Sequence, residues 1–192
     1  MTGDTKSILL VGVGGQGIIR ASDILSVALM HAGYDVKKSE VHGMAQRGGC
    51  VSSHVRYGQK VYSPLAKEGG VDILLSFEKL ETLRYLHYLG DGGTIIINDA
   101  EILPPAVNLG EQNYPSGIYE RIEAMFSDVI SIDAYTVARH EGNIRMANTV
   151  MLGVLASRLD ISDSVWETVF TESFHGKIAE QNLQAFRHAR NA

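Results

Sequence analysis

Apolar residues run along this chain in two rhythms, short unbroken runs bounded by glycine and longer stretches at helical spacing. Ile8 to Gly12 is the first run, the pattern of a strand buried on both faces of a parallel sheet. It enters a glycine cluster directly. From Gln16 the period changes, with Ile18, Ala21, Leu25, Ala28, Leu29 and Ala32 on one helical face until Gly33 supplies a stop. Strand, glycine turn and helix open a βαβ unit. Tyr34 to Val41 reads as a second strand and His42 to Gly49 as a polar, glycine-bearing loop. Val51, Ser53, Val55 and Tyr57 then alternate with polar residues, and Gly58-Gln59-Lys60 leads into Val61-Tyr62-Ser63-Pro64. That is a hairpin signal and implies a mixed sheet.

Val71 to Phe77 is another buried run, followed by a helix from Glu78 to Leu89 and a strand over Thr94 to Asn98 entered through the turn Gly90-Asp91-Gly92-Gly93. Ala100 to Gly117 holds three of the four prolines and reads as a loop crossing the sheet end. A helix over Ile118 to Phe126 and a last strand over Val129 to Ile132 follow. From Ala134 the pattern is helix only, with breaks near Glu141-Gly142-Asn143, Asp160-Ile161-Ser162 and His175-Gly176. The expectation is one domain over residues 1–192: α/β, Rossmann-like and three-layered, with a mixed, mostly parallel sheet and a helical C-terminal third.

Composition narrows the function classes. At 45% hydrophobic and 20% charged residues the chain is an ordinary globular one, not a membrane-spanning, collagen-like or disordered one. The apolar segment after the polar Met1 to Ser7 is too short for a signal peptide, and no stretch approaches the roughly 20 apolar residues of a membrane helix. Net charge −5 with no basic run removes the footprint of a nucleic-acid binder. One cysteine, Cys50, excludes an intramolecular disulfide and a thiolate-held iron–sulfur cluster, which takes about four, and suits the reducing cytoplasm. Twenty glycines, roughly 10% against a norm of about 7%, are clustered, as where backbone approaches something closely.

Gly12-Val13-Gly14-Gly15-Gln16-Gly17 fits G-x-G-x-x-G directly after a strand and at the opening of a helix. Backbone N–H groups and a helix N-terminus there suit a phosphate, whose owner the motif does not name; a turn needed only for helix–strand packing is the bland alternative. Glu40, 23 residues beyond Gly17, stands where a nicotinamide ribose would need an acid. The second loop, His42-Gly43-Met44-Ala45-Gln46-Arg47-Gly48-Gly49, carries Arg47, a planar donor for phosphate or carboxylate, and His42, a donor or proton carrier. The candidate ligand-binding set is therefore Gly12, Gly14, Gly15, Gln16, Gly17, His42, Gly43, Gln46, Arg47, Gly48 and Gly49. No catalytic residue and no metal site is assigned: the seven histidines form no ligand spacing, Cys50 has no assigned base, and no G-x-S-x-G elbow exists. Three classes stay open on the residues alone: a subunit of a larger enzyme, a stand-alone NAD(P)- or flavin-dependent oxidoreductase using Glu40, and a non-catalytic nucleotide- or coenzyme A-binding module. Around Met146 to Ala156 the helix is apolar nearly all round, which means burial in the domain or against a second subunit.

Taken together, Gly12 to Gly17, Ser39 to Gly49, Ser53-His54-Val55-Arg56, Val61-Tyr62-Ser63-Pro64, Asp72 to Glu78, Gly92-Gly93-Thr94, Asp133-Ala134 and Asn148 to Gly153 closely resemble the gamma-type module of the 2-oxoacid:ferredoxin oxidoreductases, on the indolepyruvate side of that family. Pyruvate-type members often carry a basic residue where this chain has Val13, so a pyruvate specificity is not carried over. The resemblance implies an oxidoreductase subunit, inactive alone, in a hetero-oligomer that decarboxylates an aryl-2-oxoacid with coenzyme A and reduces ferredoxin. It also implies that thiamine diphosphate and [4Fe-4S] clusters lie on a partner alpha subunit, and that this module packs on the thiamine domains and helps hold coenzyme A.

Overall fold

The computed structural model describes residues 5–43 and 49–191, the side chain of His42 excepted. Six strands, β1 (Lys6–Val13), β2 (Asp35–His42), β3 (Cys50–Gly58), β4 (Val71–Ser76), β5 (Leu89–Asn98) and β6 (Val129–Ile132), form one sheet in the order β2-β3-β1-β4-β5-β6. β1, β4, β5 and β6 pair in parallel, while β3 lies antiparallel to both β1 and β2, so five strands share one direction and β3 opposes them. The expected mixed, mostly parallel sheet is present.

Successive residues of the central strands feed opposite cores, as a period of two requires. Ile8, Leu10, Ile73, Leu75 and Ile96 face one core, with α1 (Ile18–His31), α5 (Ala134–His140), α6 (Ala147–Ala156), α7 (Asp163–Ser173) and α8 (Lys177–Asn191). Leu9, Val11, Leu74, Ile95 and Ile97 face the other, closed by α2 (Lys79–Tyr85) and α4 (Ile118–Glu123). α6 is buried at every position but Asn148, against its own chain: a Cβ at Gly153 would stand 2.4 Å from the Phe186 carbonyl of α8, so glycine lets the two helices close. No helix among the described residues is long and apolar enough to cross a membrane.

Five local expectations change. Val61 to Pro64 is not a strand: the partners of β3 are β2 and β1, and the Val61–Leu65 segment is held by side chains instead. The Val61 N–H donates to Asp35 Oδ2 at 2.9 Å, and Arg56 Nη1 donates to the carbonyls of Ser63 and Leu65 at 3.0 and 3.3 Å. Gly90 to Gly93 is not a turn before a strand but an irregular stretch inside β5, where the register with β4 shifts and Gly92 takes φ +71°. The helix after Glu78 ends at Tyr85 and passes through a 3-10 turn, Leu86–Tyr88, into β5. His42 ends β2, paired with Val51, and so belongs to the strand, not the loop. A short helix, α3 (Pro105–Asn108), stands inside the proline-rich crossing.

Candidate functional site

Open α/β sheets bind ligands at the carboxyl ends of strands where neighbouring connections leave for opposite faces. Here that point lies between β1 and β4: α1, after β1, joins one core, and α2, after β4, packs against the other. The first glycine loop leaves β1 there, and Phe77 and Glu78 leave β4.

Gln16 ties these ends together. Its Oε1 accepts from the Val13 N–H at 2.8 Å, and its Nε2 donates to the Phe77 carbonyl at 2.7 Å and to the Tyr135 hydroxyl of α5 at 3.1 Å. Gln16 therefore braces the loop from inside. The Phe77 carbonyl also accepts from Asn98 Nδ2 at 3.2 Å, while Asn98 Oδ1 accepts from the first N–H of α5, that of Ala134, at 2.9 Å. Asn98 is buried, so its side chain satisfies the Ala134 N–H and gives the Phe77 carbonyl its second donor.

The loop glycines divide by role. A Cβ at Gly12 would stand 2.7 Å from Gln16 Oε1 and 2.8 Å from Phe77 Cβ, and one at Gly17 would stand 2.7 Å from Asn148 Nδ2. Both are needed for packing, and Gly17 also has φ +81°. Gly14 gives its N–H to the Gly49 carbonyl at 2.8 Å, so the two glycine loops share a rim; Gly43 gives its N–H to the Cys50 carbonyl at 3.2 Å. Gly15, at φ +107°, faces open space. Among the described residues the N–H groups of Gly15 and Gly17 have no acceptor, and those of the first turn of α1 point the same way as unpaired helix donors. Donors of this kind at a helix N-terminus suit a single phosphate. Arg20 adds no charge to it, being held by the Ser173 carbonyl and the Phe174 ring. Gln46, Arg47 and Gly48 lie outside the described residues.

Glu40 stands apart from the first glycine loop. β3 lies between β2 and β1, and Glu40 is paired with Lys38 on the edge strand, two strands from the first loop. Cys50, half-buried, stands opposite Val13 in the register of β3 with β1. Burial pushes the nearby Tyr85 phenol above its ordinary value, with the Ser52 hydroxyl pulling the other way. Burial likewise raises the Glu81 carboxyl, whose Oε2 has no partner among the described residues. No group of three His, Cys, Asp or Glu side chains comes together among the described residues.

Sequence reasoning left Glu78 without a role. It is 1% exposed, caps α2 through the Glu81 N–H at 2.9 Å, and accepts from the Ile102 N–H at 3.3 Å and the Tyr114 hydroxyl at 2.6 Å. Burial and the Glu78 charge push the Tyr114 phenol well up. Glu78, Asn98 and Asp133 share a legible signal, a polar residue at or just past the end of an apolar run, where strands pass into caps and crossings.

The comparisons with known proteins agree with one another. Residues 7–192 match the family described as Pyruvate ferredoxin/flavodoxin oxidoreductase. The chain is 38% identical over 185 residues to the indolepyruvate oxidoreductase subunit IorB of Thermococcus kodakarensis, spanning 94% of this chain and 92% of that protein. To IorB of Archaeoglobus fulgidus it is 36% identical over 189 residues, spanning 96% and 94%. Its fold matches the crystal structure of pyruvate oxidoreductase subunit PORC from Thermotoga maritima with a TM-score of 0.75 at 19% identity, over 97% of this chain and 96% of that one.

Proposed function

The chain belongs to the pyruvate ferredoxin/flavodoxin oxidoreductase family, and we propose that within it the chain is the subunit without iron in a complex that oxidises indolepyruvate or another aryl-2-oxoacid. The overall reaction joins the 2-oxoacid and coenzyme A into an acyl-CoA and carbon dioxide, with the two electrons passed to ferredoxin. The observation that carries this reading is the 38% identity, over nearly the full length of both chains, to a subunit named for indolepyruvate oxidoreductase. A single cysteine supports the division of labour: thiamine diphosphate and the [4Fe-4S] clusters belong to a larger alpha subunit, and the chain works with it in the cytoplasm.

Coenzyme A is the ligand that suits the shared rim of the glycine loops. The N–H groups of Gly15, Gly17 and the first turn of α1 would take one phosphate, with Arg47 supplying the charge that the described loop lacks. Gln16, turned inward, and Gly14, spent on Gly49, hold that cradle rigid and do not contact the ligand. The alternative of a stand-alone nicotinamide enzyme loses its acid, since Glu40 is paired with Lys38.

Co-expression with the thiamine- and cluster-bearing chain, followed by an assay of viologen reduction with indolepyruvate and coenzyme A, tests the reading. Activity is expected in the complex and not in the isolated chain, with indolepyruvate favoured over pyruvate. Turnover of NADH by the isolated chain would overturn it. Calorimetric titration of the complex with coenzyme A then tests the site, because Arg47→Ala is expected to weaken binding about tenfold.

A further inference from the structure

The crossing between β5 and α4 is apolar without being buried. Of Ile102, Leu103, Pro104, Pro105, Ala106, Val107 and Leu109, none is buried in this chain, Leu103 and Leu109 are 44% and 74% exposed, and α3 gives no residue to either core. Covering such surface is worth about 25 cal/mol per Å², so a run left uncovered points to a surface completed by something else. Tyr62 and Leu65 form a second exposed pair, in the segment after β3 that Arg56 holds, whereas Met125, Ile144 and Ile178 stand singly.

The crossing is also preorganised. Its carbonyls accept from its own N–H groups: Pro104 from Val107 and Asn108, each at 3.0 Å, Pro105 from Leu109 at 2.9 Å, Val107 from Gly110 at 3.0 Å and Ala106 from Glu111 at 2.9 Å. Asn108 Nδ2 donates to the Leu103 carbonyl at 3.0 Å. Both feet, Ile102 and Tyr114, are fastened to the one buried carboxylate of Glu78, directly after Phe77 at the crevice. A loop whose ends meet and whose backbone is satisfied internally loses little entropy on docking.

Charge selects the occupant. Between Asp99 and Glu123 there are five carboxylates, Asp99, Glu101, Glu111, Glu120 and Glu123, and one cation, Arg121. Lys79 pairs with Asp99 and Glu101, and Glu111, Glu120 and Glu123 outnumber Arg121, so the crossing and its flanks carry a net negative charge. A second copy docking through the same face would set like charges against each other. We propose that residues 102–114 are a docking arm that seats Leu103 and Leu109 in an apolar groove of the larger partner subunit, rimmed by lysine or arginine and next to the crevice. This rests on the reading of the chain as one subunit of a hetero-oligomer.

The test is assembly of this chain with the co-expressed larger subunit, followed by size exclusion and titration. Leu103→Ser with Leu109→Ser is expected to leave the melting temperature of the chain unchanged and to weaken assembly about tenfold or more. Glu111→Lys, at an exposed position, is expected to weaken it severalfold, with the difference shrinking at high salt, and it decides the matter if the double variant does not fold. Wild-type assembly by both variants overturns the arm while leaving the functional reading intact. Loss of self-association with an intact complex also overturns it, in favour of a second copy. Failure of the wild-type chain itself to assemble with that subunit overturns the functional reading instead.

Discussion

The two ends of the parallel strands are both rich in glycine, and they use it differently. At the amino end, Gly69 and Gly70 lie against Gly90 to Gly93, beside Lys6, Asp72 and Arg158. The Gly69 and Gly70 N–H groups donate to the carbonyls of His87 and Lys67, a Cβ at Gly90 would stand 3.0 Å from the Gly69 carbonyl, and Lys6 and Arg158 are bonded to Asp72 and Asp128. At the carboxyl end Gly12 and Gly17 are likewise spent on packing, yet Gly15 opens to space with its N–H and those of the α1 terminus unspent. Glycine content does not separate the two edges. Unspent donors and a helix N-terminus do.

That contrast can be broken at several points. The largest effect is expected from Gly12→Ala, whose Cβ meets both Gln16 and Phe77; overpacking of this kind costs about 2–3 kcal/mol. Calorimetry should show the melting point falling by roughly 4–12 °C. A wild-type melting point would mean that the brace is slack.

Gln16→Leu comes next, at about 1–3 kcal/mol by denaturant titration, since the Val13 N–H loses its acceptor and the Phe77 carbonyl keeps only Asn98. The matched pair Gly15→Ala and Gly92→Ala sharpens the comparison most. Both positions have positive φ and open space, so each should cost about 1–2 kcal/mol. Only Gly15→Ala should lower the affinity of the complex for coenzyme A, severalfold by calorimetry, and equal losses from both would erase the distinction between the edges.

The smallest effect belongs to the middle of the sheet. Burial and then the Arg56 charge hold the His54 imidazole below its ordinary value, so His54 is neutral in the fold, with Nδ1 accepting from the Ala66 N–H at 3.4 Å. The unfolded chain takes up this proton first, near pH 6.5. The stability it contributes is therefore complete above about pH 6.5 and is lost as pH falls towards the depressed folded value. His54→Asn keeps an acceptor for Ala66 and should flatten that acid limb in a series of melting curves; an unchanged slope would assign the limb to other groups.

How much was legible follows from how local each cause is. The strand at Ile8, the helix after Gly17, the last strand at Val129 and the C-terminal breaks rest on periodicity and glycine stops, which act within one turn or one pleat, and they stand where the pattern put them. The resemblance in Gln46 to Gly49 and Asn148 to Gly153 likewise led to the family that residues 7–192 match. The hairpin was misassigned because alternation in Val51 to Tyr57 announces a strand without naming its partner; β2 and β1 took both of its edges.

The sequence by itself thus determined the α/β class, the mixed sheet, the family and the absence of a cysteine set for a cluster, since each depends on residue type and near spacing. Tertiary structure alone decided what the side chains are for. It made Gln16 a brace across 61 residues to Phe77, gave Glu40 to Lys38, and made Glu78 the anchor of a crossing whose feet lie 24 and 36 residues away. The physical reason is that a hydrogen bond needs its donor and acceptor within about 3.5 Å, and which groups come that close is set by chain crossings that no local pattern encodes.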